Sequence, residues 1–173
     1  MSKTLVAFFS RADENYFGGS YRYVDVGNTE IAVNKITDMI DADMFKIEMK
    51  KPYSKEYDKC IDEAKRDLNS KARPEINDFP YDMSAYDTVI LGYPNYWGTV
   101  PMAVLTFLEG YDLSGKMILP LCTNECSGMG RSEKDISAAC PNSTVADGLP
   151  INGSRVADSG NSIRKWLESN KLL

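Results

Sequence analysis

Three short apolar runs set the strongest limit on this fold: TLVAFFS at 4–10, YDTVILGY at 86–93 and KMILPLCT at 116–123. Each is apolar at nearly every position. A strand with one wet face alternates polar and apolar residues; a strand covered on both faces does not. Between the runs the period becomes helical. Residues 28–40 place Ala32, Ile36, Met39 and Ile40 on one face, and residues 54–69 place Tyr57, Ile61, Ala64 and Leu68 on a stripe. A helix after GTVP carries Met102, Leu105, Phe107 and Leu108, another covers 131–140, and the last ends in IRKWLESN. DMFKIEM at 43–49 and residues 143–147 complete the strands. Pro120 counts against the run at 116–123, because proline donates nothing to a ladder, and a bulge is one way to house it. Strand and helix alternating five times predict an α/β fold, a parallel sheet with helices on both faces. No repeat or linker interrupts the pattern, so 1–173 reads as one domain. The 43% hydrophobic content is enough for one sizeable core.

Composition removes several functions. Histidine is absent, which excludes Ser-His-Asp and Cys-His catalysis and every His-ligated metal site. The four cysteines, Cys60, Cys122, Cys126 and Cys140, form no C-x-x-C pair, so zinc ribbons and dithiol redox motifs are disfavoured and free buried thiols are expected. A net charge of −5 argues against holding nucleic acid through its phosphates and is compatible with docking on basic protein surfaces. No run approaches the roughly 20 apolar residues of a membrane span. The first residues read as a strand rather than a secretory signal. The expectation is a cytoplasmic protein with no membrane segment.

In open parallel sheets, ligands sit beyond the carboxyl ends of the strands. Three loops lie there. The first begins at Ser10 and ends in Gly27-Asn28-Thr29 at a helix start, where free N–H groups and the positive end of the helix dipole favour a phosphate. The Walker pattern G-x-x-x-x-G-K-[ST] is absent. The second loop, GYPNYWGTVP at 92–101, sets Tyr96 and Trp97 among Pro94, Asn95 and Gly98. Flat aromatics there suit stacking on a flat ring, with Asn95 and backbone amides at its edge. The third loop, TNECSGMGRSE at 123–133, offers Thr123, Ser127 and Gly128 as donors and Glu125 as a negative charge. Each loop alone is explained by capping or packing. Together they describe a planar ring joined to a phosphate.

FFSR, GNTE, YPNYWGTVP and TNECSGMG together resemble the flavodoxins, over nearly the whole chain. The resemblance implies a three-layer fold with sheet order 2-1-3-4-5 and FMN as cofactor. Thr29 matches the final threonine of the phosphate loop and Ser10 its opening residue. Arg11, Asn28, Pro94, Asn95, Tyr96, Trp97, Gly98, Thr123, Glu125, Ser127 and Gly128 fall on the cofactor loops. The chain departs from the family pattern in that Ser10 and Thr29 lie 19 residues apart, with RADENYFGGSYRYVDV between them. That insertion reads either as a flap over the phosphate or as a surface excursion. The segment at 71–86 is a further candidate for one ring face. The last strand reads as uninterrupted, as in the short-chain architecture.

Two functions follow. One is a low-potential electron carrier, its acidic surface docking on basic redox partners, with Glu125 and the overall charge opposing a negative reduced ring. The other is an FMN-dependent oxidoreductase passing electrons from NAD(P)H to a quinone or similar acceptor. That reading is favoured by the YPNYWG loop and needs an open pocket above the ring. A binding module without flavin is the third reading, and the intact donors argue against it.

Overall fold

The computed structural model describes residues 2–173. Five parallel strand positions form one sheet: β1 (Thr4–Phe8), β4 (Asp43–Lys46), β5 (Thr88–Pro94), β6 (Met117–Asn124) and a last position shared by β7 (Thr144–Val145) and β8 (Leu149–Asn152). Their order across the sheet is β4-β1-β5-β6-β7, with β8 also on β6. Counted along the chain without the inserted segment, this is the 2-1-3-4-5 order. The pleat divides β1 between two cores. Leu5 and Ala7 face α3 (Met102–Gly110) and α4 (Ser132–Ala139), while Val6 and Phe8 face α1 (Asn28–Thr37) and α5 (Gly160–Ser169). Two covered faces are why the central strands carry no polar alternation.

Pro120 lies inside β6 without a bulge. The carbonyls of Lys116 and Ile118 accept from Thr144 and Ala146, so alternate residues of β6 face the last strand. Pro120 faces the same way, opposite 146–148, where that strand breaks. The uninterrupted last strand expected from sequence is therefore two pieces, and the missing proline donor falls at the gap. The backbone groups freed there find other partners. Gly148 N–H donates to Glu133 Oε1, and Asp147 O accepts from Trp166 Nε1.

The insertion forms a two-stranded hairpin, β2 (Asp13–Phe17) and β3 (Ser20–Val24), which no pattern above anticipated. Helix α2 (Tyr57–Asn69) begins three residues later than expected and buries only Cys60 and Ala64. In the segment at 71–86, residues 75–77 pair with 48–50 beyond the end of β4. Its Phe79 packs edge-on against Phe45, Phe107 and Tyr111, so that ring is committed to the core.

Candidate cofactor-binding cleft

At the carboxyl end of the sheet, α1 approaches β5 closely at Gly92. A Cβ on Gly92 would stand 2.9 Å from Val33 Cγ1 and 3.2 Å from Thr29 Cγ2. That closeness seats the first turn of α1 against the next strand. Thr29, 2% exposed, shares a 2.7 Å hydroxyl–hydroxyl bond with Thr123 at the end of β6. Ser10 closes the corner from the other side, its Oγ accepting from Glu30 N–H at 3.1 Å. Gly27 makes this fit possible, since a Cβ there would lie 2.3 Å from Arg11 O and 2.4 Å from Ser10 Oγ. Among the described residues, the N–H groups of Asn28 and Thr29 donate to no protein acceptor. Two free donors at a helix N-terminus make an anion site.

This corner opens into a cleft of about 290 Å³, lined on the α1 side by Asn28, Thr29, Thr123, Glu125 and Ser127 and on the other by Arg11, Pro94, Asn95 and Tyr96. A second cleft of about 230 Å³ continues it. The two share Arg11, Asn15, Tyr57, Asn95 and Tyr96, and the second adds Cys60, Ile61, Ala64 and Trp97. Together they reach the size of ordinary cofactor sites, roughly 300–1,000 Å³.

The aromatic loop is braced rather than loose. Trp97 and Gly98 have φ of 55° and 84°, the two positive values of a mirror-image hairpin turn closed by Tyr96 and Thr99. Asn95 ties the turn to the third loop: its Nδ2 donates to Gly128 O at 2.9 Å, and its Oδ1 accepts from Gly98 N–H at 2.8 Å. Trp97 is 45% exposed, with Nε1 on Ile61 O at 2.8 Å and Lys65 Nζ 4.7 Å over its ring.

The electrostatics are mixed. Arg11 donates to three carbonyls, Ser54 O, Lys55 O and Glu14 O, and pairs with no carboxylate among the described residues. Its buried Nε and the buried Tyr96 hydroxyl have no protein partner. Burial pushes the Tyr96 phenol and the Cys60 thiol up, so both stay protonated at neutral pH and neither supplies a nucleophile. Glu125 accepts from Ser154 Oγ at 2.8 Å, close to Asn28 at the α1 corner rather than to the aromatic end.

Most of the sequence-derived residues thus converge. Four lie outside the 290 Å³ lining: Trp97 lines the second cleft, and Ser10, Gly128 and Gly98 are engaged elsewhere. Ser10 caps α1 and lines a separate cleft. Gly128 has N–H on Asn124 Oδ1 and its carbonyl on Asn95. Gly98 gives its N–H to Asn95 and its carbonyl to Arg131. Sequence reasoning missed Asn15, Asn124, Gly153 and above all Tyr57, whose helical stripe lines the clefts through Tyr57, Ile61 and Ala64 and meets the core at Leu68.

Comparisons with known proteins agree with this architecture. The family model described as Flavodoxin matches residues 16–170. A provisionally assigned flavoprotein of Bacteroides eggerthii is 26% identical, with 98% of each chain covered and a TM-score of 0.76. A second, from Bacteroides uniformis, is 24% identical over 96% of this chain and 98% of its own, at 0.77. A flavoprotein of Lactobacillus acidophilus in complex with FMN shares the fold at 16% identity, over 91% of this chain and 98% of its own, at 0.64. No curated protein matches the chain. The fold, the sheet order and a family match spanning nearly the whole length agree: this chain belongs to the flavodoxin family.

Proposed function

We propose that the chain is an FMN-binding electron-transfer protein. The observation that carries this reading is the continuous cleft, with an anion corner at one end and aromatic walls at the other. The residues fit FMN. Free N–H groups of Asn28 and Thr29, beside the Thr29 hydroxyl and Ser127, would hold the phosphate. Asn95, Tyr96 and Trp97 would hold the ring, with Tyr57 across the second cleft. When bound, FMN supplies one- and two-electron redox chemistry.

What the protein contributes is position, dryness and charge. The braced 94–99 loop fixes the ring's contacts. Tyr57, Ile61 and Ala64 displace water from one side of the cleft. The net charge of −5 opposes negative charge on a reduced ring, which supports a low potential and docking on basic redox partners. Arg11 acts in the opposite sense at closer range.

A specific observation favours the second reading, an FMN-dependent NAD(P)H oxidoreductase. The 230 Å³ cleft is lined by Tyr57, Ile61 and the exposed Trp97, a flat-walled space suited to a nicotinamide or a quinone. Stepwise anaerobic reduction of the purified protein, followed by visible absorption, separates the two. A stable one-electron stage and negligible NADPH consumption with a quinone support the carrier. Direct two-electron reduction with rapid turnover overturns it in favour of the oxidoreductase.

A further inference from the structure

The inserted hairpin, β2–β3, crosses the cleft instead of projecting from the surface. Its root lies at Arg11, whose guanidinium binds Ser54 O at 2.8 Å and Lys55 O at 2.9 Å on the segment leading into α2. Glu14 follows, with its N–H on Lys55 O and its Oε1 accepting from Tyr57 N–H at 2.9 Å at the start of α2. On the returning strand, Tyr21 donates to Asp58 Oδ1 at 2.5 Å. Tyr16, Tyr21 and Tyr57 pack together, with Tyr16 and Tyr57 stacked at 6.1 Å.

The tip reaches the opposite wall. A Cβ on Gly18 would stand 3.8 Å from Glu125 Oε2 and 3.9 Å from Ser154 Oγ. Between root and tip, Asn15 and Tyr16 line the same cleft as Asn28, Thr29 and Ser127. The hairpin is therefore fastened along one side, from Arg11 to Tyr21, by several hydrogen bonds to α2 and the segment before it. Its tip at Gly18-Gly19 rests on the opposite wall by contact alone. A two-stranded ribbon held along one side has little stability of its own.

We infer that the hairpin is a strap over the cofactor cleft. Asn15 and Tyr16 contact the bound cofactor, Arg11 and the Tyr21–Asp58 bond hold the strap down, and FMN enters and leaves when the tip lifts from Ser154. The inference rests on the FMN reading above. It goes beyond it by assigning a binding role to an element between the two halves of the phosphate loop. A strap makes a kinetic demand that a plain contact does not. Loss of a plain contact speeds release and leaves association unchanged. A loosened strap speeds both.

The test uses the full chain and follows flavin fluorescence on mixing with FMN and on dilution of the complex. Tyr21 and Asp58 do not line the cleft, so Tyr21→Phe and Asp58→Ala remove a fastening without removing a cofactor contact. Each should raise association and dissociation rates together, by up to roughly tenfold for one hydrogen bond. Gly18→Cys with Ser154→Cys, on a Cys126→Ser background, places two thiols within disulfide reach. Oxidation should slow entry and release by at least about tenfold, and reduction of the same protein should restore both. Cysteines that do not pair, together with unchanged rates in Tyr21→Phe, would overturn the strap, and so would rates indifferent to a formed disulfide. A protein that takes up no FMN in either state would overturn the cofactor reading itself.

Discussion

The two ends of the cleft are built differently. At the α1 corner, the proposed phosphate site, the contacts are tight and the central one is buried. Thr29 and Thr123 share one bond, Ser10 caps α1, and Gly27 leaves no spare volume. At the aromatic end the walls come from separate elements, α2, the hairpin and the 94–99 turn, and Trp97 is nearly half exposed. A rigid corner gives affinity because its donors lose little freedom on binding. Looser walls give access. The corner should therefore carry most of the binding energy, and the aromatic end should set rates and potential.

Substitutions sharpen that contrast. The largest effect belongs to Gly27→Ala. Its Cβ would meet Arg11 O and Ser10 Oγ well inside contact distance, so the corner must open. A loss of about 2–4 kcal/mol of stability is expected in thermal or urea unfolding, with FMN binding strongly weakened. An unperturbed midpoint would mean that the corner is not tightly packed. Thr29→Ala comes next. It removes a phosphate donor and leaves the Thr123 hydroxyl without its buried partner, costing about 1–3 kcal/mol in FMN affinity by titration. Equal affinity would reduce GNTE to a helix start.

Glu125→Gln should go the other way. Its carboxylate stands near Asn28, at the same end as the proposed phosphate, and removing a like charge should tighten FMN about tenfold at low salt and less at high salt. Weaker binding would show that Glu125 serves the cofactor as an acceptor. Trp97→Ala should have the smallest effect on stability, under roughly 1 kcal/mol, because the side chain is exposed. It should still shift the flavin spectrum and potential. A large loss of fold with an unchanged spectrum would reverse the roles of the two ends.

Away from the cleft, burial pushes the Cys140 thiol up to about 11 and the Cys122 thiol up to about 12. Unfolding exposes both at their ordinary value near 9, so the folded state holds its protons longer. The contribution is whole below pH 9 and is lost as pH rises through 11 and 12. Urea midpoints should accordingly fall from pH 9 upward, and Cys122→Ala with Cys140→Ala should flatten that fall.

Sequence was most informative where one physical constraint acted alone. The central strands are apolar at nearly every position because both faces are covered, so periodicity revealed them. Gly27-Asn28-Thr29 was legible as a helix start, because such residues favour helix N-termini, and taken alone it pointed no further than a cap. The hairpin was not, since its strands alternate charged, polar and aromatic residues with neither face fully buried. Gly18-Gly19 between two such runs was the available signal. Tyr57 was misplaced for a related reason: a helical stripe reports one apolar face, not whether a core or a cleft lies against it. The break in the last strand was concealed by its shortness, although Pro120 on the neighbouring strand marked the place.

The most direct measurement compares FMN with riboflavin, titrated into the cofactor-free protein and followed by fluorescence. The two ligands share the ring and differ by the phosphate. If the α1 corner carries the binding energy, FMN binds tighter by about a hundredfold or more, which is roughly 3 kcal/mol from two or three charge-assisted hydrogen bonds. Thr29→Ala then narrows the gap. Equal affinities for the two ligands would contradict the assignment of the phosphate to α1.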